Sequence, residues 1–342
     1  MKGLLRDLAG AFFVGMVIPY LMVNCAFLME LRNKVQTEIQ QTEPVPEMVP
    51  AGITVCIGEE SDRVSMDMEQ YLVGVVLAEM PASFEPEALK AQAVAARTYT
   101  SKAIQTGGKH GDGSLCVEST CCQAYMDEET FLSRGGTQTD LNKVRKAVWS
   151  TAGQVMIYEG ALIEATYFSC SGGRTENAVE VWGTEYPYLV SVESPGEEEA
   201  AYYREEVLFS PEEMALLLNR ELTGPVKDWF EQVVYTEGGS VSAAVICGKT
   251  YTGTQLRSIL GLRSAAFSVD ILDETICITT KGYGHRVGLS QYGADAMAVK
   301  GSGYEEILAH YYPGTEIVFL HIDENEEIRY HEAYAFAMTE KG

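Results

Sequence analysis

The sequence predicts an α+β fold in which two consecutive helices pack on an antiparallel sheet, preceded by a single apolar helix at the N-terminus. Three observations predict it: an uncharged apolar run over residues 8–29, two adjoining helical patterns over about 67–104, and short alternating segments after residue 153. The 342-residue chain is 46% apolar and 10% aromatic, enough to bury a core. Its 25 Lys and Arg stand against 49 Asp and Glu, a net charge of −24. That balance argues against nucleic acid as a partner, because phosphate binders cluster Lys and Arg. It equally argues against docking on anionic lipid by charge alone.

The first element is a transmembrane anchor over residues 8–30, after a short stretch at 1–7. About 20 apolar residues cross the hydrocarbon core as a helix. A secretory signal has a shorter apolar region and a small-residue cleavage site, and no A-x-A follows here. A lipoprotein signal is disfavoured because Asn24 precedes Cys25. Lys2 and Arg6 are balanced by Arg32 and Lys34, so charge leaves the orientation open. Residues 31–52, with Pro44, Pro46 and Pro50, form a semi-extended linker. The ectodomain then spans 53–320, with a possible small lobe at 200–265, and an acidic tail fills 321–342.

From Met66 the pattern turns helical, and Met68, Leu72, Val75, Val76 and Glu79 fall on one face. Glu79 is the one acid in that apolar stripe, and Pro81 ends the helix just beyond it. Burial raises a carboxyl pKa, which suits a general acid. The alternatives are a Glu turned to solvent or paired with Arg97. The second helix opens at Pro86 and is alanine-rich, with Gln92 and Arg97 as polar exceptions. Antiparallel strands are expected within 153–169, 189–193, 232–252, 266–280 and 315–322. One more helix is expected over 210–219, with Ser210 as cap and Pro211 opening it.

Of the eight cysteines, Cys25 lies in the anchor, and Cys56, Cys170, Cys247 and Cys277 sit singly in apolar contexts. His110, Cys116, Cys121 and Cys122 cluster within one short segment. Thiolates with an imidazole suit a closed, structural zinc site (Zn2+). The competing reading is a local disulfide from Cys116 to Cys121 or Cys122.

The run EQYLVGVVLAEMPASFEPEALKAQAVAARTY resembles the opening signature of the stage II sporulation protein D family, which includes amidase enhancers of cell walls. Three later blocks agree, at 165–195, 248–269 and 282–317, in the same order. The resemblance implies that the helices and sheet surround a glycan-binding cleft. It further implies a lytic transglycosylase that cuts peptide-stripped peptidoglycan in sporulation (engulfment), with Glu79 as the acid/base. It favours Thr175 and Tyr188 as glycan contacts; Ser171, Glu176, His285, Gln291 and Tyr292 are further candidate substrate contacts, as are Gln92 and Arg97, for which simple exposure is the competing reading. It adds support for zinc at His110, Cys116, Cys121 and Cys122, although a histidine is more usual at 121. Arg286 stands where the family more often has glycine, which would put a positive charge near the cleft. The implied partners are peptidoglycan strands, a sporulation amidase, engulfment membrane proteins and the membrane. Residues 1–7 would then be cytoplasmic and the ectodomain would face the wall on the mother-cell side of the septum. The readings that compete are a non-catalytic amidase enhancer and a zinc hydrolase.

Overall fold

The computed structural model describes residues 54–57, 64–118, 120–322 and 328–332. The expected anchor at 8–30 and linker at 31–52 lie outside them. Among the described residues no helix is long and apolar enough to cross a membrane.

A hairpin of β1 (Thr54–Ile57) and β2 (Val64–Asp67) leads into α1 (Met68–Glu79). Asp67 caps the helix by accepting from the Glu69 and Gln70 amides at 2.9 and 3.3 Å. Tyr71 to Leu77 are all buried, so α1 is enclosed on every side and has no single apolar stripe. Glu69 is a fully buried acid in the same helix, whereas Glu79 is half-buried at its end. Pro81 holds Met80 extended, at φ −123° and ψ 144°, and the helix stops there.

Helix α2 (Pro86–Thr106) is the axis of the main core, and α1 and β3 pack directly on it. Ala88, Ala91, Ala93, Ala95 and Ala96 are fully buried, and their small side chains allow that close approach. The helix ends at Gly107 in the left-handed region, φ +82°. Next come α3 (Glu128–Ser133), which touches α1, and α4 (Gln138–Ser150), which packs on α2. The strand expected over 153–169 is three pieces: β3 (Gln154–Tyr158), β4 (Ala161–Leu162) and β5 (Tyr167–Phe168). A turn through Glu159 and Gly160, both at positive φ, makes the first break. Residues 189–193 are not a strand but a loop laid along 174–178, beyond the short helix α5 (Ala178–Trp182).

The lobe has its own core, built on Phe209, Met214, Trp229, Leu256, Ile276 and Ile278. It comprises β6 (Arg204–Phe209), α6 (Pro211–Leu217), β7 (Phe230–Tyr235), β8 (Val241–Ile246), β9 (Lys249–Tyr251), α7 (Gly253–Leu260), β10 (Phe267–Leu272) and β11 (Thr275–Lys281). Two three-stranded antiparallel sheets result, ordered β10-β11-β6 and β7-β8-β9. Because β11 lies between β10 and β6, the lobe runs to residue 281 and not 265.

The chain then returns to the main core through β12 (Leu289–Ser290), parallel to β5, followed by α8 (Gln291–Val299) and α9 (Tyr304–Tyr311). Both helices pack against α2. Strand β13 (Glu316–Ile322) pairs with β3 on one side and with β14 (Ile328–Glu332) on the other. Residues 328–332 thus extend the sheet, whereas the sequence placed them in a peripheral tail.

Candidate active site

The end of α1 delivers Glu79 to the start of α8. One carboxylate oxygen accepts from the Ala124 amide at 3.0 Å, and the other accepts from Gln291 Nε2 at 3.5 Å. Gln291 Nε2 also reaches Gln92 Oε1 at 3.4 Å. Burial pushes the Glu79 carboxyl above its usual range, and the two hydrogen bonds offset this only in part. No other carboxylate contributes to that shift among the described residues. Burial together with the nearby Glu79 charge also raises the Tyr167 phenol well above its usual range. Tyr167 is held by Gln123, whose Nε2 donates to its hydroxyl at 2.8 Å.

Aromatic rings line the approach. Phe84, in the loop after Glu79, meets Tyr292 edge-on at 4.9 Å between centroids. Tyr292 meets Tyr202 at 5.9 Å, and Tyr202 meets Tyr283 at 5.2 Å. His285 sits between Phe168 and the half-exposed Trp182, at 5.5 and 5.2 Å. Burial and then the Arg257 charge lower its pKa to about 4, so the ring is neutral near pH 7.

Of the residues proposed from the sequence, Gln291 bonds Glu79 and Gln92, Tyr292 packs on Phe84 in the loop after Glu79, and His285 lies between Phe168 and Trp182. Five other expected contacts are structural, because each is buried and already bonded. Arg97 is fully buried, donating to Glu69 Oε1 at 2.9 Å and Oε2 at 2.5 Å and to the Gln154 and Val148 carbonyls. Ser171 donates to Glu197 at 2.7 Å, inside a carboxylate that also receives Ser194 and Ser290. Thr175 accepts from the Val192 amide at 2.8 Å, holding the 174–192 loop pair together. Glu176 receives Thr236 at 2.6 Å, across to the lobe. Tyr188 is 6% exposed, and its hydroxyl accepts from the Glu164 amide.

Arg286 also departs from expectation. It is 3% exposed, with a left-handed φ of +67°, and donates to the Ser171, Arg174 and Gly238 carbonyls and to Ser240 Oγ, all within 2.8 Å. It ties the main core to the lobe and adds no charge beside Glu79. The positive φ explains why a glycine suits this position.

The side chains missed by sequence reading are Tyr167 and Gln123, and the Ala124 amide was missed as well. A backbone donor leaves no trace in residue identity. Gln123 had a weak signal, as a polar residue directly after the Cys121–Cys122 pair.

The ligand atoms of His110, Cys116, Cys121 and Cys122 all lie within 4.8 Å of one another. His110 Nε2 is 3.4 Å from Cys122 Sγ and 3.8 Å from Cys121 Sγ, and the two sulfurs are 3.9 Å apart. Zinc bonded at about 2.3 Å to sulfur and 2.0 Å to nitrogen needs tetrahedral edges of about 3.5–3.8 Å. The cluster fits such a centre. The three thiols are free, so the disulfide alternative is not formed. The Ala124 amide that holds Glu79 lies two residues beyond Cys122.

The fold and site define an α+β protein with one shielded carboxyl at a helix end, faced by amide and aromatic side chains. The SpoIID family, described as "Stage II sporulation protein", matches residues 58–158. Stage II sporulation protein D of Bacillus amyloliquefaciens is 36% identical over 93% of this chain and 96% of its own length. The protein of that name from Bacillus subtilis (strain 168) is 39% identical, over 78% of this chain and 79% of its own. The amidase enhancer of the same strain is 30% identical over 75% of this chain and 45% of its own. The chain belongs to the stage II sporulation protein D family.

Proposed function

We propose that the protein is a lytic transglycosylase of sporulation, cleaving peptide-stripped peptidoglycan between N-acetylmuramic acid and N-acetylglucosamine. The observation that carries this reading is a single carboxyl held above its usual pKa by burial and met only by neutral donors. A hydrolase with water as acceptor usually needs two carboxyl groups. Here protonated Glu79 gives its proton to the glycosidic oxygen as the C1–O4 bond breaks. The Glu79 carboxylate then takes the proton of the sugar's own C6 hydroxyl as O6 bonds to C1, closing a 1,6-anhydro ring and restoring the acid. Gln291 and Ala124 orient the carboxyl, and Tyr292, Trp182 and neutral His285 offer ring faces to sugars.

His110, Cys116, Cys121 and Cys122 would hold a structural zinc. Four protein ligands fill a tetrahedron and leave no position for water, so the metal would brace the segment that carries Ala124. The apolar run at 8–30 would anchor the chain, with residues 1–7 cytoplasmic and the ectodomain facing the wall on the mother-cell side of the septum. A sporulation amidase would supply the stripped strands, and engulfment membrane proteins would be its neighbours.

The test is product analysis of denuded peptidoglycan treated with wild type and Glu79→Gln. The expected result is 1,6-anhydro fragments from wild type and a loss of about 10²-fold or more in the variant. A variant that releases them at the wild-type rate removes Glu79 as the acid. A second reading, a non-catalytic amidase enhancer, is favoured by the likeness to the Bacillus subtilis amidase enhancer. It predicts no fragments from wild type alone and faster peptide release when an amidase is added.

A further inference from the structure

A cavity of about 630 Å³ opens where the lobe meets the aromatic wall, lined among others by Tyr202, Tyr283, Arg257, Arg263, Thr254 and Ser258. Sites for small ligands are commonly about 300–1,000 Å³. One ring contact links the cavity to the Glu79 side: Tyr202 lines it and also packs on Tyr292, the chain neighbour of Gln291. Its two arginines differ in state. Arg263 is engaged, with Glu205 at 2.9 Å and its guanidinium over the Tyr202 ring at 5.3 Å. Arg257, in the last turn of α7, pairs with no carboxylate among the described residues. Burial lowers its pKa, and the Tyr283 phenol is the one group that favours its charge. In a chain of net charge −24, acids to neutralise a half-buried cation are plentiful. An arginine left unpaired in a polar cavity is an anion receptor without its anion.

We propose that Arg257, framed by the Tyr202 and Tyr283 rings, receives the lactyl carboxylate of an N-acetylmuramoyl residue at a subsite joined through Tyr202 and Tyr292 to the loop after Glu79. The assignment rests on the glycan reading above. Removing a stem peptide hydrolyses the amide at the lactyl group and uncovers one carboxylate per disaccharide. With the peptide in place that oxygen belongs to a neutral amide, which a guanidinium binds less tightly. Arg257 thus makes the protein selective for strands already stripped. The Thr254 and Ser258 hydroxyls supply uncharged hydrogen bonds beside it, and Arg263 fixes Tyr202 in place.

The test measures binding to the full-length chain carrying Glu79→Gln, so that no strand is cut. The probes are a peptide-free tetrasaccharide of alternating N-acetylglucosamine and N-acetylmuramic acid, the same compound with its carboxylates amidated, and N-acetylchitotetraose. The free acid is expected to bind about tenfold more tightly than the amide, since a hydrogen-bonded charge contributes on that order. Adding Arg257→Gln should abolish this preference and leave the amide and chitotetraose affinities unchanged, which also shows that the variant is folded. Arg257→Lys should restore part of it. A preference that survives Arg257→Gln, equal losses for all three probes, or no preference at the outset would overturn the assignment. Cleavage is read separately with Glu79 intact. If that chain cuts nothing while the Arg257-dependent preference persists, the catalytic reading fails and the subsite stands.

Discussion

Glu79 and Glu69 share a helix and have opposite fates. Glu69 lies fully buried against Arg97, and that pair is satisfied at every atom by Gly153 and two carbonyls. Breaking it leaves a buried charge, so Arg97→Met should destabilise the fold by about 3–5 kcal/mol, measured by urea unfolding. Among the described residues Glu79 has neutral partners only, which leaves its proton available. The hydrogen bond from Gln291 favours its carboxylate, so losing that donor raises the pKa further. Gln291→Leu should therefore shift the alkaline limb of the kcat/KM profile to higher pH, where the acid form would otherwise be lost. A shift to lower pH would show that Gln291 acts on another group. Sequence reading proposed Glu79 from an apolar stripe, which α1, enclosed on every side, does not have, and from the family resemblance. It mistook Arg97 for a ligand contact because charge alone does not reveal a buried partner 28 residues away.

At the scale of elements, both long helices were legible from periodicity and proline placement. The third expected helix was legible from Ser210 and Pro211, and Ser210 does form a capping box with Glu213. The strands were less legible, since β4 and β5 are two residues each and gain their place from long-range partners. Helix α4 escaped notice although Thr137 caps it, because its buried face is only Leu141, Val144, Ala147 and Val148. The described residues between Cys116 and Tyr125 form no helix or strand, yet they place the Ala124 amide against Glu79. A metal bound at His110, Cys116, Cys121 and Cys122 would supply the rigidity that a helix or strand otherwise gives. Treatment with a strong chelator should lower the melting temperature and release close to one zinc per chain. An unchanged melting temperature with no metal released would remove the zinc assignment.

Across the whole molecule, the lobe is joined to the main core by a few buried polar bonds. Arg286 and Glu176 make them, reaching Ser240, Gly238 and Thr236. Arg286→Met removes four hydrogen bonds and leaves three carbonyls unpaired. Hydrogen exchange should then speed up in the 236–240 turn and its neighbours, with protection of α2 unchanged. The acidity has a place at this scale too: a net charge of −24 repels an anionic wall, so affinity must come from local features. The aromatic rings are such features, and so is Arg257, which pairs with no carboxylate among the described residues.

On the proposed mechanism the sugar's own hydroxyl, and not water, accepts the glycosyl group released when Glu79 protonates the leaving oxygen. Cleavage of denuded peptidoglycan in water enriched in the heavy oxygen isotope, read by mass spectrometry of the muramoyl ends, tests it most directly. Anhydro ends with no heavy oxygen are expected. Reducing ends that carry the heavy isotope would make water the acceptor and contradict it.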